Sequence, residues 1–158
     1  MVGGMAVRAL EPDDWKTKQR LRLRALAEDP QAFGSTYARE EHRGEADWRT
    51  WPHPGVFFVA GRDGADEGIA CGWLSNDDPD ATNLISMWVA PEARGQRLAA
   101  ELVDAVVDWA RACGSQRVEL EVAEGNEAAL KAYLRYGFEP SPRQPHTPGG
   151  TSLRFPLR

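Results

Sequence analysis

The stretch that most constrains what this 158-residue chain can fold into runs over residues 84–111. Residues 84–90 form an apolar run that reads as a strand, Pro91 punctuates a turn, and Arg94 and Gly95 sit in a short loop. Leu98, Leu102, Val106 and Ala110 then recur at i+4 spacing, with Ala105 and Trp109 beside them, so an amphipathic helix with one apolar face follows. Strand, loop and helix N-terminus in that order make an anion site. The first helical turn carries unpaired N–H groups and the positive end of the helix dipole, and a phosphate satisfies both.

The flanking segments place this unit in a mixed sheet. Residues 6–10 read as a strand closed by Glu11, Pro12, Asp13 and Asp14, and residues 15–27 as a helix without a breaker. Lys16, Lys18, Arg20, Arg22 and Arg24 spread around that helix as solvated charge. Ser35 or Thr36 caps a second helix reaching about Arg49, and the Pro52, Pro54 and Gly55 cluster ends it. Residues 56–60 and 68–75 form a hairpin, and residues 83–89 a further strand. Beyond the central helix come an alternating strand at 116–122, a helix from Asn126 to Gly137, a Pro-rich loop at 140–150 and a last strand at 151–157. Three consecutive strands imply an antiparallel meander, and the strand–helix–strand unit after them a parallel pair. The expected fold class is α/β of mixed, α+β-like character, a mostly antiparallel sheet flanked by about four helices. One domain is expected over residues 1–158, with residues 1–5 disordered or tag-like.

Composition narrows the function classes. A formal charge of −5 argues against nucleic acid as a partner. No run of about 18 apolar residues exists to cross a membrane, and the N-terminus lacks the build of a signal peptide, so the cytoplasm is the expected compartment. Cys71 and Cys113 sit in apolar segments as small core residues, and His42, His53 and His146 lack ligand spacing, so no metal is expected. Trp48, Trp51, Phe57, Phe58 and Trp73 are mostly core, with one or two available to line a pocket.

Two motifs carry a resemblance to the GNAT family of N-acetyltransferases. Arg94, Gly95, Gln96, Arg97, Leu98 and Ala99 match its Gln/Arg-x-x-Gly-x-Gly/Ala signature at Arg94 and Ala99, with Arg97 at the usual glycine. Asn126, Ala129, Tyr133 and the pair Gly137 and Phe138 match its second signature. The resemblance spans essentially residues 5–157 and implies the GNAT-type fold and direct transfer of an acetyl group from acetyl-CoA to a primary amine of a small molecule or a peptide N-terminus. It further implies that the backbone of Met87, Trp88 and Val89 lines the pantetheine, with one strand N–H stabilising the oxyanion. Backbone N–H groups of Gly95, Gln96, Arg97, Leu98, Ala99 and Ala100 would hold the pyrophosphate, and Asn126 would contact the cofactor. A homodimer is compatible with all of this.

Amine acetylation needs a base, because a lysine-like amine with a pKa of about 10.4 is protonated at neutral pH. Glu121, on the strand before the Asn126 helix, is the leading base; the alternative is that Glu119 and Glu121 simply face solvent. Ser86, Glu40 and Glu41 are fallbacks. Tyr133 matches the family tyrosine that protonates the departing thiolate, against a purely packing role beside Leu130 and Leu134. Arg97 can supply its N–H if its φ is helical, and its guanidinium either reaches a CoA phosphate or points to solvent. A catalytically weak acyl-CoA-binding sensor is the competing function.

Overall fold

The computed structural model describes residues 5–62, 64–95 and 97–158. Most of the expected disordered or tag-like lead, residues 1–4, lies outside the described residues; Met5 opens the first strand. Among the described residues a seven-stranded sheet runs in the order β1-β2-β3-β4-β5-β7-β6. Its strands are β1 (Met5–Ala9), β2 (Gly55–Arg62), β3 (Gly68–Leu74), β4 (Ala81–Val89), β5 (Arg117–Val122), β6 (Glu139–Pro140) and β7 (Thr151–Pro156). The helices are α1 (Trp15–Glu28), α2 (Tyr37–Glu40), α3 (Glu45–Thr50), α4 (Leu98–Ala112) and α5 (Glu127–Tyr136). The mixed, mostly antiparallel sheet expected from the element order is what forms: β4 and β5 pair in parallel, and the other neighbours pair antiparallel. The expected second helix is split. Gly44, extended at φ −87° and ψ 177°, breaks it into α2 and α3, and Thr36 caps the first piece by accepting from the Arg39 N–H.

The apolar stripe of α4 lies on one sheet face, where Leu98, Leu102, Val106 and Ala110 join Val118, Leu120, Val122 and Leu153 in the larger core. Close approach is possible because β3 carries glycines under the helix: a Cβ on Gly72 would lie 2.9 Å from Trp109 Cε3. On the opposite face α1 buries Leu21 and Ala25 against Phe57, Val59, Ile69, Cys71 and Trp88.

The charges of α1 are not all solvated as the sequence suggested. Lys18 and Arg22 are buried at 4% and 6% exposure. The cause is α2 and α3, which fold back over α1 so that Arg22 meets the buried Glu40, and Lys18 Nζ donates to the Trp51 carbonyl. Cys71 is core, whereas Cys113 is exposed because it caps the α4 C-terminus beyond the apolar stripe. No helix of the described residues is long and apolar enough to cross a membrane.

Candidate active site

β4 is bent at its middle. Ile69 faces Trp88 but Cys71 faces Ile85, so β4 carries an extra residue there, and Ser86 sits at φ +61°, in the left-handed region. A bulge flips side-chain parity. Leu84, Met87 and Val89 therefore pack on the α4 face, while Ile85 and Trp88 pack on the α1 face. It also swings the strand away from its neighbour. The β4–β5 pairing covers Ala81, Thr82 and Asn83 against Arg117, Val118 and Glu119, although β4 continues to Val89 and β5 to Val122. Beyond that point the two strands diverge.

A cleft of about 440 Å3 opens in the gap, lined by Met87, Trp88 and Val89 from β4, Glu124, Gly125, Asn126 and Ala128 at the start of α5, and Asp29, Gln31, Ala32 and Arg94. Asp29 Oδ2 accepts from Trp88 Nε1 at 2.7 Å and from Arg94 Nη2 at 2.9 Å, and Arg94 Nε donates to the Val89 carbonyl at 3.0 Å. The 3₁₀ turn after α1 thus becomes one wall of the cleft. The Glu124 and Gly125 turn ahead of Asn126, with Gly125 at φ +86°, is the opposite wall. None of Asp29, Gln31, Ala32, Glu124 or Gly125 was singled out from the sequence; the Gly125-Asn126 turn was the available signal, and Asp29 had none.

The α4 N-terminus follows directly from Arg94. Its N-cap, Arg97, makes no side-chain cap hydrogen bond, so the first-turn N–H groups of Leu98, Ala99 and Ala100 have no intrahelical partner. The helical φ that was the condition for Arg97 to supply its N–H is not adopted: the residue lies at φ +69° and ψ 7°, left-handed, and its side chain is exposed. A glycine at this position would adopt that conformation without a Cβ penalty. Gly95 also has positive φ, at +81°. Gln96 lies outside the described residues. An uncapped 15-residue helix at the end of a polar-walled cleft fits a long ligand ending in a diphosphate.

Asn126 lines the cleft and also caps α5, its Oδ1 accepting from the Ala129 N–H at 3.3 Å. Tyr133 and Glu121 are not among the residues that line the cleft. Tyr133 packs edge-on against Phe138 with ring centroids 5.5 Å apart, and its hydroxyl has no hydrogen-bond partner among the described residues. Burial pushes that hydroxyl well above the ordinary phenol range, so it stays protonated. Glu119 and Glu121 do not face open solvent. Glu119 is 2% exposed and accepts from Arg117 Nε at 2.9 Å. Glu121 accepts from the loop at 141–150: from the His146 N–H at 2.8 Å and the Thr147 N–H at 3.3 Å, with His146 Nδ1 2.5 Å from its other oxygen. Burial alone would raise the Glu121 carboxyl, but these bonds outweigh it and hold it below the usual range. Arg143 pins the same loop to Asn83 and Asp78 at 2.5 and 2.6 Å. Of the fallbacks, Glu40 is locked in the Arg22 pair, Ser86 Oγ accepts from Arg22 Nη1 at 2.9 Å, and Glu41 is exposed.

The description "Acetyltransferase (GNAT) family" matches residues 20–138. A mycothiol acetyltransferase from Beutenbergia cavernae is 32% identical over 120 residues, covering 76% of this chain and 39% of the relative. The chain spans 38% to 54% of the lengths of that relative and two others. Among solved structures, yncA of Salmonella typhimurium, determined with its cofactor acetyl-CoA, superposes with a TM-score of 0.77 at 18% identity over 98% of this chain and 95% of that one. The ribosomal-protein-S18-alanine N-acetyltransferase from Escherichia coli reaches 0.67 at 19% identity, over 97% and 94%. With the family description matched over most of its length, and the fold shared from end to end, this chain belongs to the GNAT acetyltransferase family.

Proposed function

We propose that this chain is one cytoplasmic domain that transfers the acetyl group of acetyl-CoA to a primary amine, on a small molecule or at a peptide amino terminus, with both substrates bound together. The observation that carries the reading is the divergence of β4 from β5 beside an α4 N-terminus that has no side-chain cap. The N–H groups of Leu98, Ala99 and Ala100, with the Gly95 and Arg97 backbone, suit the CoA pyrophosphate, and the freed edge of Met87, Trp88 and Val89 suits the pantetheine amides. Acetyl-CoA supplies the activated acetyl carbonyl there. Its oxygen takes a strand N–H on that edge, a preorganised donor of the kind worth about 3 kcal/mol.

Asn126 and Arg94 border the pantetheine path. Tyr133 protonates the departing sulfur; its hydroxyl is already protonated and has no competing partner, which supports that role. The ammonium loses its proton on the Glu121 side. The yncA complex supports the cofactor. The mycothiol and S18-alanine enzymes support a small-molecule or a peptide acceptor respectively.

Titration calorimetry with acetyl-CoA, followed by a thiol-release assay over polyamines, aminoglycosides, amino acids and short peptides, tests this. Binding together with turnover of at least one amine is expected. Binding with no turnover would instead make the chain an acyl-CoA sensor.

A further inference from the structure

The geometry points to His146 as the group that takes the proton from the acceptor ammonium, with Glu121 as the residue that positions it. This assignment rests on the acetyl-transfer reading above. Glu121 was the leading base by sequence, but its carboxylate is occupied. Oε1 accepts from the N–H of His146 at 2.8 Å, the N–H of Thr147 at 3.3 Å and Thr147 Oγ1 at 3.4 Å, and Oε2 lies 2.5 Å from His146 Nδ1. Donors on both oxygens favour the charged carboxylate and weaken it as a base. A carboxylate of that kind is an acceptor only, so Nδ1 carries the hydrogen, and in the neutral ring Nε2 is left with a free lone pair. The backbone N–H and the ring of one residue thus grip the two oxygens of one carboxylate, which fixes the tautomer and the ring together.

The ring stands in the right place. Glu119 and Glu121 alternate with Val118, Leu120 and Val122, which pack on the α4 face, so both glutamates project to the α1 face. Glu119 pairs with Asn83; two residues further along the parallel strands, Glu121 comes level with Ile85, next to the Ser86 bulge where β4 and β5 part. His146 therefore sits at the edge of the divergence, on the face away from α4, with its side chain 82% exposed to an entering molecule. The loop that carries it is held at a second point by Arg143 on Asn83 and Asp78, and Glu124 lies against its Gly149. The step is a simple transfer. Nε2 forms an N–H bond as one ammonium N–H bond breaks, the amine keeps the electron pair for attack, and the imidazolium returns its proton to solvent.

The test compares His146→Gln and Glu121→Gln with wild type, using the best amine of the panel. His146→Gln is expected to lower kcat about 10²-fold or more, to remove the acid limb of the kcat/KM profile, and to leave acetyl-CoA binding unchanged. Glu121→Gln is expected to lower kcat and move that limb, because a glutamine amide can donate to Nδ1 and favour the wrong tautomer. Independently of turnover, the imidazole nitrogen shifts of His146 in the wild-type protein, read on the alkaline side of its titration, should show the neutral ring with Nδ1 protonated and Nε2 bare. Wild-type kcat in His146→Gln, or an acid limb that persists in His146→Gln but vanishes in Glu121→Gln, overturns the assignment. A neutral ring with its hydrogen on Nε2 does so as well. A wild-type protein that acetylates no amine sinks the acetyl-transfer reading instead.

Discussion

Glu40→Gln removes the charge of a buried ion pair while keeping the side chain's size. Arg22 and Glu40 side chains are 7% and 1% exposed, and they meet through Nε–Oε1 at 2.9 Å and Nη2–Oε2 at 2.8 Å. Arg22 has no water to fall back on, since its guanidinium stacks over Phe33 at 5.0 Å and Trp51 at 5.1 Å. Arg43 Nη1 also lies 3.4 Å from Glu40 Oε1, so neutralising Glu40 strands two cations. Removing one partner of such a pair costs about 3–5 kcal/mol, and the upper half of that range is expected here. At about 2–4 °C per kcal/mol for a domain of this size, Tm should fall by roughly 8–20 °C.

Burial alone would raise the Glu40 carboxyl, but the hydrogen bonds from Arg22 outweigh it and hold it below the ordinary range. A depressed pKa contributes stability that is fully present above the unfolded value and lost as pH falls through the folded one. Urea melts should therefore show a constant wild-type advantage from neutral pH down to about pH 5, closing progressively as pH falls below the unfolded glutamate value of about 4.3. The double variant Arg22→Met with Glu40→Leu should recover part of the loss, because well-packed apolar residues replace a buried pair at little cost while Arg43 still lacks its partner. It should still turn over slowly. Ser86 would lose its 2.9 Å donor from Arg22 and, with it, the brace on a bulge at φ +61°. A Glu40→Gln loss below about 1 kcal/mol would refute the reasoning, because a pair this buried cannot be that cheap to break.

Tyr133→Phe should leave stability within about 0.5 kcal/mol in urea melts, since no hydrogen bond is lost, yet cut kcat by about 10²-fold. Arg97→Gly relieves a left-handed residue worth about 1–2 kcal/mol and adds glycine's unfolded-state entropy of about 0.5–1 kcal/mol, so a small net gain in Tm is expected by calorimetry. Asp78→Asn should raise KM for the acceptor while leaving acetyl-CoA affinity unchanged, because it weakens one of the two anchors of Arg143 on the loop at 141–150 but touches no residue of the cleft.

Local information in the chain determined a good deal. The i+4 apolar stripe of α4, the alternation of β5 and the glycine stops are short-range signals, and each placed its element. The two spaced motifs named the family, and Met87, Trp88, Val89, Arg94 and Asn126 do converge on one cleft. What the chain could not declare was set by contacts between distant residues. Lys18 and Arg22 sit on a helix that reads as solvated until α2 and α3 close over it. Arg97 looks like a lost glycine until its φ shows why glycine belongs there. Glu121 and His146 are 25 residues apart, and only the β5–β7 pairing brings the loop to the strand and turns a presumed base and a surface histidine into one hydrogen-bonded pair. Periodicity reports which face a side chain occupies; which partner waits on that face is decided by tertiary packing alone.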